Sequence, residues 1–511
     1  MPNLAACHII LGLCFAMTAP IVGAETLSAE RIRDLTRQNT AAAIELYREF
    51  LSLPNDANNP DEILALVDWM QPQFGERGFE TRRLPTAGSP LLFARRAGAA
   101  AAPTVLVYLQ ADGQPVDPSA WFQDDPYQAV LKERQSNGDW QIISWESVAR
   151  EVDPDWRVFA RSASDSKGPM TQFLAAMDIL EQAGVTLPYE LKVIIDTEEE
   201  LGSPHLAEAL IDNRALLAAD MLLIFDGPPH ASNRPTVAFG ARGIATVTLT
   251  AYGPRAAQHS GHYGNYVPNP AFHLARILAA MKDADGRVLL PGFYDGIEID
   301  ETLLEQLAAV PDDEADIRSE IGIAEADKVA GSLQQALQYP SLNIRGLSSG
   351  WVGREARTII PATATAELDI RLVKESDPER LIGLVRSHVE EMGYRIVERE
   401  PTEAERQKYG GLVRFESEFS YAAFRSSFDD PPGQMARAGM RNLYGEEPIL
   451  IRTMGGSIPI APFVDTLGIP AAIVPTVNID NNQHSPNENL RLGNFIEGIS
   501  ILVSVLGRMP E

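Results

Sequence analysis

Cysteine is almost missing from this chain. The two present, Cys7 and Cys14, both fall within the first 24 residues, so everything after them can form neither a disulfide nor a cysteine metal site. Basic charge is scarce as well. With 43 Lys and Arg against 70 Asp and Glu, the formal net charge is −27, which argues against nucleic acid or an anionic membrane as partner, since both need a basic surface. The same excess suits a protein that holds divalent cations, although acidic solvation alone gives that number. Residues 1–24 contain no Lys, Arg, Asp or Glu; an apolar run from Ile9 to Met17 leads to small residues ending Val22-Gly23-Ala24. This reads as a secretory signal peptide cut before Glu25, and it is too short and too broken by Pro20 and Gly23 for a membrane anchor. The expectation is a periplasmic or secreted protein with no membrane attachment after cleavage.

What the chain does have is alternation. Helical periodicity over Arg31–Leu51 and Met170–Ala183 is interleaved with apolar runs at Thr104–Leu109, Leu191–Ile195 and Met221–Phe225. That β/α order predicts an α/β fold with a mostly parallel sheet covered by helices, and ligands in such sheets sit outside the carboxyl ends of the strands. From about Gly240 the period changes to two, in "GIATVTLTAYG" and "ATATAELDIRLV", as in half-exposed antiparallel strands. Helical patterns in "NPAFHLARILAAMKD" and "ERLIGLVRSHVEEMG" accompany them. After a polar stretch near Pro401–Gly411, β/α alternation resumes. The simplest division is a signal peptide (1–24), a first catalytic piece (25–240), an inserted α+β lid or dimerisation domain (241–415) and a second catalytic piece (416–511). Residues 134–156 read as a surface insertion.

The candidate chemistry falls at strand ends. "VLVYLQADGQPVD" supplies Gln110 and Asp112, "RVFARSASDSKGP" Asp165, "IIDTEEELGS" Glu199 and Glu200, and "LLIFDGPP" Asp226, while "NIDNNQHSPNENL" supplies His484. Singly, each has an ordinary structural reading: Asp165 as a helix cap, Asp226 as a turn residue before Gly227 and Pro228. Together they bring carboxylates and one imidazole to a single rim. Uncompensated, so many buried carboxylates must take up protons, and one or two divalent metal ions resolve the conflict. An oxygen-rich, nitrogen-poor set suits zinc, manganese or cobalt.

The order and wording of "ASDSKGP", "EEELGSPH", "QHSGHYGNYVPNP", "LLPGFYDGI", "YPSLNIRG", "TIIPATATAELDIRLV", "GGSIPI" and "HSPNENL" resemble the dinuclear zinc metallopeptidases, the family of carnosinase-type dipeptidases, aminoacylase and glutamate carboxypeptidase. The carnosinase-like branch is resembled most of all, over most of residues 30–507. The resemblance implies that Asp165 bridges two metals, with Glu200 and His484 completing one site and Asp226 and position 110 the other. It makes Glu199 the general base and Asp112 the group that orients the position-110 ligand. Glu198 and Asp196 are left as ordinary loop acids. In the inserted domain, His259 resembles the histidine that polarises the scissile carbonyl across a dimer interface, and Arg371 the clamp on a substrate carboxylate, a task for which a bidentate guanidinium is suited. Asn269 and the Gly455-Gly456-Ser457 backbone would shape the pocket. A homodimer is implied. His262 is expected to have no role, and His205, His230, His273 and His388 to be structural or exposed.

Two positions depart from the family pattern. Gln110 stands where the pattern has a histidine ligand, and a glutamine offers only an amide oxygen. Ser166 stands where many relatives have a second Asp. The expected activity is metal-dependent hydrolysis of the amide bond of dipeptides or N-acyl amino acids bearing a free carboxylate, by metal-activated water with Glu199 as base and Zn²⁺ (one or two ions; Mn²⁺ or Co²⁺ as substitutes) as cofactor. The alternative is a catalytically impaired periplasmic binder of small peptides.

Overall fold

The computed structural model describes residues 26–508 except 100, 149 and 151, so the expected signal peptide lies outside the described residues. The apolar run of Thr104–Gln110 makes a strand near the centre of an eight-stranded sheet. In sheet order its members are Glu80–Leu84, Leu91–Arg96, Glu190–Asp196, Thr104–Gln110, Met221–Ile224, Ala471–Ile473, Thr236–Ala238 and Ile449–Ile451. The central neighbours run parallel, and the edge formed by Glu80–Leu84 and Leu91–Arg96 is antiparallel.

Strand 104–110 is apolar on both faces because both are covered. Val105, Val107 and Leu109 enter one core and Leu106 and Tyr108 the other. The first core takes the buried stripes of helices Ala29–Leu51, Gly168–Gln182, Pro431–Tyr444 and Leu492–Leu506. The second takes Leu206–Asp212 and Ala461–Leu467. Among the described residues no helix is long and apolar enough to cross a membrane.

The thirteen-residue strand Gly240–Tyr252 links this layer to a second sheet. Its start pairs with Phe424–Arg425 and Met454–Ser457; the rest runs between Thr363–Leu372 and Leu412–Tyr421. At Gly243 a Cβ would lie 2.5 Å from the Ala423 amide nitrogen and the Tyr421 carbonyl, so the close passage of two chains excludes any side chain there. Alternation along this strand is as the period-two pattern predicts, with Ala245, Val247, Leu249 and Ala251 buried on one side in a third core.

The stretch 134–156 lies at the surface, with no buried residue among those described, and part of it is ordered: Trp140–Ile143 pairs with Val130–Arg134, and with Arg157–Phe159 and Asn489–Arg491 they form a four-stranded sheet. The polar stretch 401–411 also carries a helix, Glu403–Lys408, closed by a capping box between Thr402 and Glu405.

Candidate active site

Asp165 is the centre of the constellation, and the loop that holds it is built for placement rather than for burial of apolar surface. It does not end a strand of the large sheet, as the strand-end reading implied. It lies in the kinked turn Ala163–Lys167 that opens helix Gly168–Gln182, after the small-sheet strand Arg157–Phe159. Gly168 admits no side chain, because a Cβ would come 2.5 Å from the Ala163 carbonyl. The Tyr47 hydroxyl donates to that same carbonyl at 2.5 Å. The Lys167 ammonium is buried and donates to the Leu53 carbonyl.

The strongest hold on this turn comes from Glu488, which sequence reasoning did not single out. Its carboxylate accepts from the backbone amides of Ser162, Ser164 and Asp165 at 2.9, 2.9 and 3.0 Å and from the Ser164 hydroxyl at 2.9 Å. The Arg161 guanidinium completes it at 2.8 Å, with the two side chains 3% and 1% exposed. An anion facing successive backbone amides is a nest of the kind that fixes a loop.

Asp165 faces two groups of partners. Its Oδ2 is 3.0 Å from His484 Nε2 and accepts from Gln483 Nε2 at 3.2 Å; the same His484 nitrogen is 3.3 Å from Glu200 Oε2. Ligand atoms of Asp165, Glu200 and His484 all lie within 4.8 Å of one another, a set that can hold a metal ion. His484 is delivered by a polar loop and itself adopts φ 63°, a costly conformation for a residue with a Cβ and one met at functional sites. On the other side, Asp165 Oδ1 accepts from Gln110 Nε2 at 2.7 Å and from the Ser166 hydroxyl at 3.2 Å. The same Ser166 hydroxyl lies 2.9 Å from Asp226 Oδ1, so its single proton is shared between two carboxylates, part of what a cation would do there.

The electrostatics agree with the geometry. Burial, then the charge of Asp165, raises the Glu200 carboxyl to about 8 and the Asp226 carboxyl to about 7. Glu199 is pushed well above the carboxylate range by burial and then by Asp165, Glu200, Asp112 and Asp226. Asp112 is raised by burial and by Asp196, although its Oδ2 accepts from the Glu200 amide at 2.9 Å. His484 moves the other way in charge, raised to about 9, first by its hydrogen bond to Asp165.

These groups fit a divalent cation. The buried Gln110 Oε1 and Asp112 Oδ1 have no hydrogen-bond partner, and a buried lone pair without a donor is a cost that a cation removes. Asp165, Glu200 and His484 would hold one ion, and Asp165, Asp226 and Gln110 Oε1 could hold a second, the glutamine amide turning its oxygen inward.

The raised pKa values carry a prediction. Glu200, Asp226 and His484 bind protons in the folded chain at pH values where the unfolded chain has released them, so the stability they contribute is present at low pH and lost as pH rises through about 7 to 9. Chelator-treated protein is therefore expected to melt at a lower temperature at about pH 8.5 than at about pH 6, and added Zn²⁺ to abolish that fall. Thermal unfolding across that range checks it; a rising melting temperature would contradict the assignment.

Asp196 and Glu198 are not ordinary loop acids. Asp196 is buried and accepts from the Tyr108 and Ser203 hydroxyls and the Glu198 amide. Glu198 accepts from the Ser89 amide and contacts His205 Nδ1 at 2.8 Å. They lock the turn that aims Glu199 and Glu200. His230, expected to be structural, is buried and bonded to Asp312 and Ser232.

A second group lies on the other sheet. Arg371 Nη1 donates to the Ser457 hydroxyl at 2.7 Å, and its side chain stays 35% exposed. Arg371 and Tyr421 are both in register with Ile244, one on each side of strand 240–252, so they share a face. Tyr421, absent from the sequence-based set, hydrogen-bonds Ser457, and its phenol is pushed up to about 12 by burial and then by Glu199, against the opposing effect of Arg371. It therefore feels both groups. Gly456 is exposed in strand Met454–Ser457. His259 and Asn269 are not joined to this constellation by any contact among the described residues. His259 is exposed and accepts from the Gly261 amide beside the His262 ring, and Asn269 caps helix Pro270–Ala279.

Carboxylates gathered with an imidazole beside the carboxyl ends of sheet strands are the donor set of a metal centre. Residues 129–508 match Peptidase family M20/M25/M40, and the chain belongs to that family of metallopeptidases. It is 26% identical over 415 residues to the Cys-Gly metallodipeptidase dug1 of Schizosaccharomyces pombe, covering 80% of each chain. It is 25% identical over 414 residues to the Beta-Ala-His dipeptidase of Homo sapiens, covering 80% of this chain and 75% of that one. The crystal structure of an M20 family metallo-carboxypeptidase, Sso-CP2 from Sulfolobus solfataricus, superposes with a TM-score of 0.74 at 26% identity, over 91% of this chain and 98% of that one.

Proposed function

We propose that the protein hydrolyses the amide bond of dipeptides or N-acyl amino acids bearing a free carboxylate, with Zn²⁺ in one or both sites. The observation that carries the reading is the set Asp165, Glu200 and His484, poised within 4.8 Å of one another beside the half-buried Glu199. Relatives named as Cys-Gly and Beta-Ala-His dipeptidases favour a dipeptide. A divalent cation supplies positive charge that polarises a carbonyl and acidifies water. Glu199 takes the proton of the attacking water and passes it to the leaving nitrogen. Arg371, with Nη1 fixed by Ser457, pairs with the substrate carboxylate through its remaining donors. His259, exposed and remote in one chain, would polarise the carbonyl from a second copy in a homodimer. The protein is secreted or periplasmic in this proposal.

Gln110 favours a second reading. Its amide nitrogen, not its oxygen, faces Asp165, and the alternative is a centre that binds small peptides without turning them over. Metal stoichiometry with assay on a dipeptide panel, wild type beside Gln110→His, separates the two. The expected result is turnover in the wild type and tighter metal retention in the variant. A silent wild type rescued by Gln110→His would establish the binder. Arg371→Lys is expected to raise KM roughly 10- to 100-fold with a smaller change in kcat, as loss of a bidentate charge-assisted pair requires; steady-state kinetics checks it, and an unchanged KM would remove the clamp.

A further inference from the structure

The four-stranded sheet has no part in the proposed reaction, yet it builds a cavity. Strands Val130–Arg134, Trp140–Ile143 and Arg157–Phe159 line one side, and the loop that carries His484 lines another through Asp480, Asn482 and Asn487, around a space of about 700 Å³. That is the size of a small-molecule site.

Lys132 lines this space and is only 2% exposed. Its ammonium has no hydrogen bond and no ion pair among the described residues. The Phe159 ring packs against it, with Nζ 4.3 Å from the centroid, and the cross-strand neighbours of Lys132 are Arg157 and Ile142. Burying a charge without a counter-charge is costly, and one aromatic face offsets only part of that cost. Arg134 also lacks an acid partner and stands 5.9 Å from the Trp140 centroid. The third cation, Arg157, is already taken by Asp480 at 2.5 Å and Asn489 at 3.0 Å. Two uncommitted cations therefore face one remaining lining acid, Asp139, in a chain whose formal net charge is −27.

Beside the polar loop residues Asn482, Asn487 and Asn489, the lining offers flat apolar surface. Trp140 and Phe159 meet edge to face at 5.2 Å, and Phe122 and Ile142 are 79% and 55% exposed at the rim.

We propose that this cavity binds an organic anion with a flat apolar body, the negative group on Lys132 and the ring against Trp140. The anion has two sources: the acidic or aromatic end of a substrate whose other end reaches the metal centre past the His484 loop, or a free aromatic acid. The cavity exists whether or not the centre hydrolyses peptides, so binding is read without turnover.

The test is calorimetric titration of naphthoate into the full-length wild type, Lys132→Met and Trp140→Leu, with acetate and naphthalenemethanol as probes lacking the ring or the charge. The wild type is expected to bind naphthoate, and acetate and naphthalenemethanol at least about tenfold more weakly. Lys132→Met, which keeps the stem and drops the charge, is expected to lose naphthoate about tenfold or more without a lower melting temperature. Trp140→Leu is expected to weaken naphthoate and leave acetate unchanged, which guards against a misfolded lysine variant. No binding to the wild type, or equal binding to wild type and Lys132→Met (a carboxylate held elsewhere), would overturn the proposal. With binding established, a rise in the apparent KM for a dipeptide on adding naphthoate identifies the substrate's own end as the occupant, and an unchanged KM identifies a free acid. Naphthoate binding in a protein with no turnover would count against the hydrolase alone.

Discussion

Replacing Glu199 by glutamine is expected to lower kcat for a dipeptide about 100- to 10,000-fold while the bound metal stays. The separation of the two effects follows from the geometry. Glu199 sits in the turn Glu199–Leu201 after strand Glu190–Asp196, and its carboxyl has no hydrogen bond among the described residues. It nevertheless lies in the fields of Asp165, Glu200, Asp112 and Asp226, which with burial raise its proton affinity. A group held there unpaired is free to exchange a proton, and a cation among its neighbours would offset those fields and favour the carboxylate that a general base needs. Glutamine has the same size but cannot accept the proton. The groups able to hold metal, Asp165, Glu200, His484 and Asp226, are untouched. Metal analysis beside steady-state kinetics reads both halves. Undiminished turnover would sink the role of base, and loss of metal would show that Glu199 is itself a ligand.

The second large effect is expected from Glu488→Gln, at a residue that touches no candidate ligand side chain. The carboxylate holds three backbone amides, one hydroxyl and a buried guanidinium. Glutamine replaces one acceptor oxygen by a donor nitrogen, which must then face N–H groups, and it leaves the Arg161 charge uncompensated at 3% exposure. Breaking a buried ion pair from one side costs about 3–5 kcal/mol. The variant is expected to unfold at correspondingly lower denaturant and, while still folded, to retain metal more weakly, because the turn that aims Asp165 has lost its anchor. Denaturation midpoints and metal retention after dialysis measure the two. A wild-type midpoint would show that the turn is held by something else.

The central strands Thr104–Gln110, Glu190–Asp196 and Met221–Ile224 were legible because each is an apolar run bounded by polar residues, whereas edge strands such as Glu80–Leu84 carry no such run. Asp112, Glu199, Glu200 and Asp226 were legible because they follow those runs closely. Asp165, Glu200 and His484, which the family resemblance grouped, lie together in the structure. Glu488 was not legible. It stands four residues after His484, in a stretch whose asparagines and glutamate look like loop solvation, and its contacts span more than 320 residues of chain. The one available signal was that a lone acid opens an otherwise uncharged run, "NENL", leading into a strand. Tyr421 was hidden for a similar reason: its meaning lies in the register of two strands flanking Ile244, and register is not written in either strand alone. Asp196 and Glu198 were misread because acids beside a turn are usually solvated, whereas here the turn is folded back under Ser89 and His205. His259 and Asn269 carried motif context, but among the described residues neither contacts the carboxylate centre.

Strand Ala471–Ile473 lies inside the large sheet, between Met221–Ile224 and Thr236–Ala238. The residues that complete the centre, His484 and Glu488, come later still. During synthesis the first half of the chain therefore emerges with the acids of the centre but with a gap in the sheet and without His484. Domains fold as units during synthesis; this one has to wait for residues 471–488. A centre assembled in that order is incomplete until then, and a chain released earlier has the acids without the imidazole.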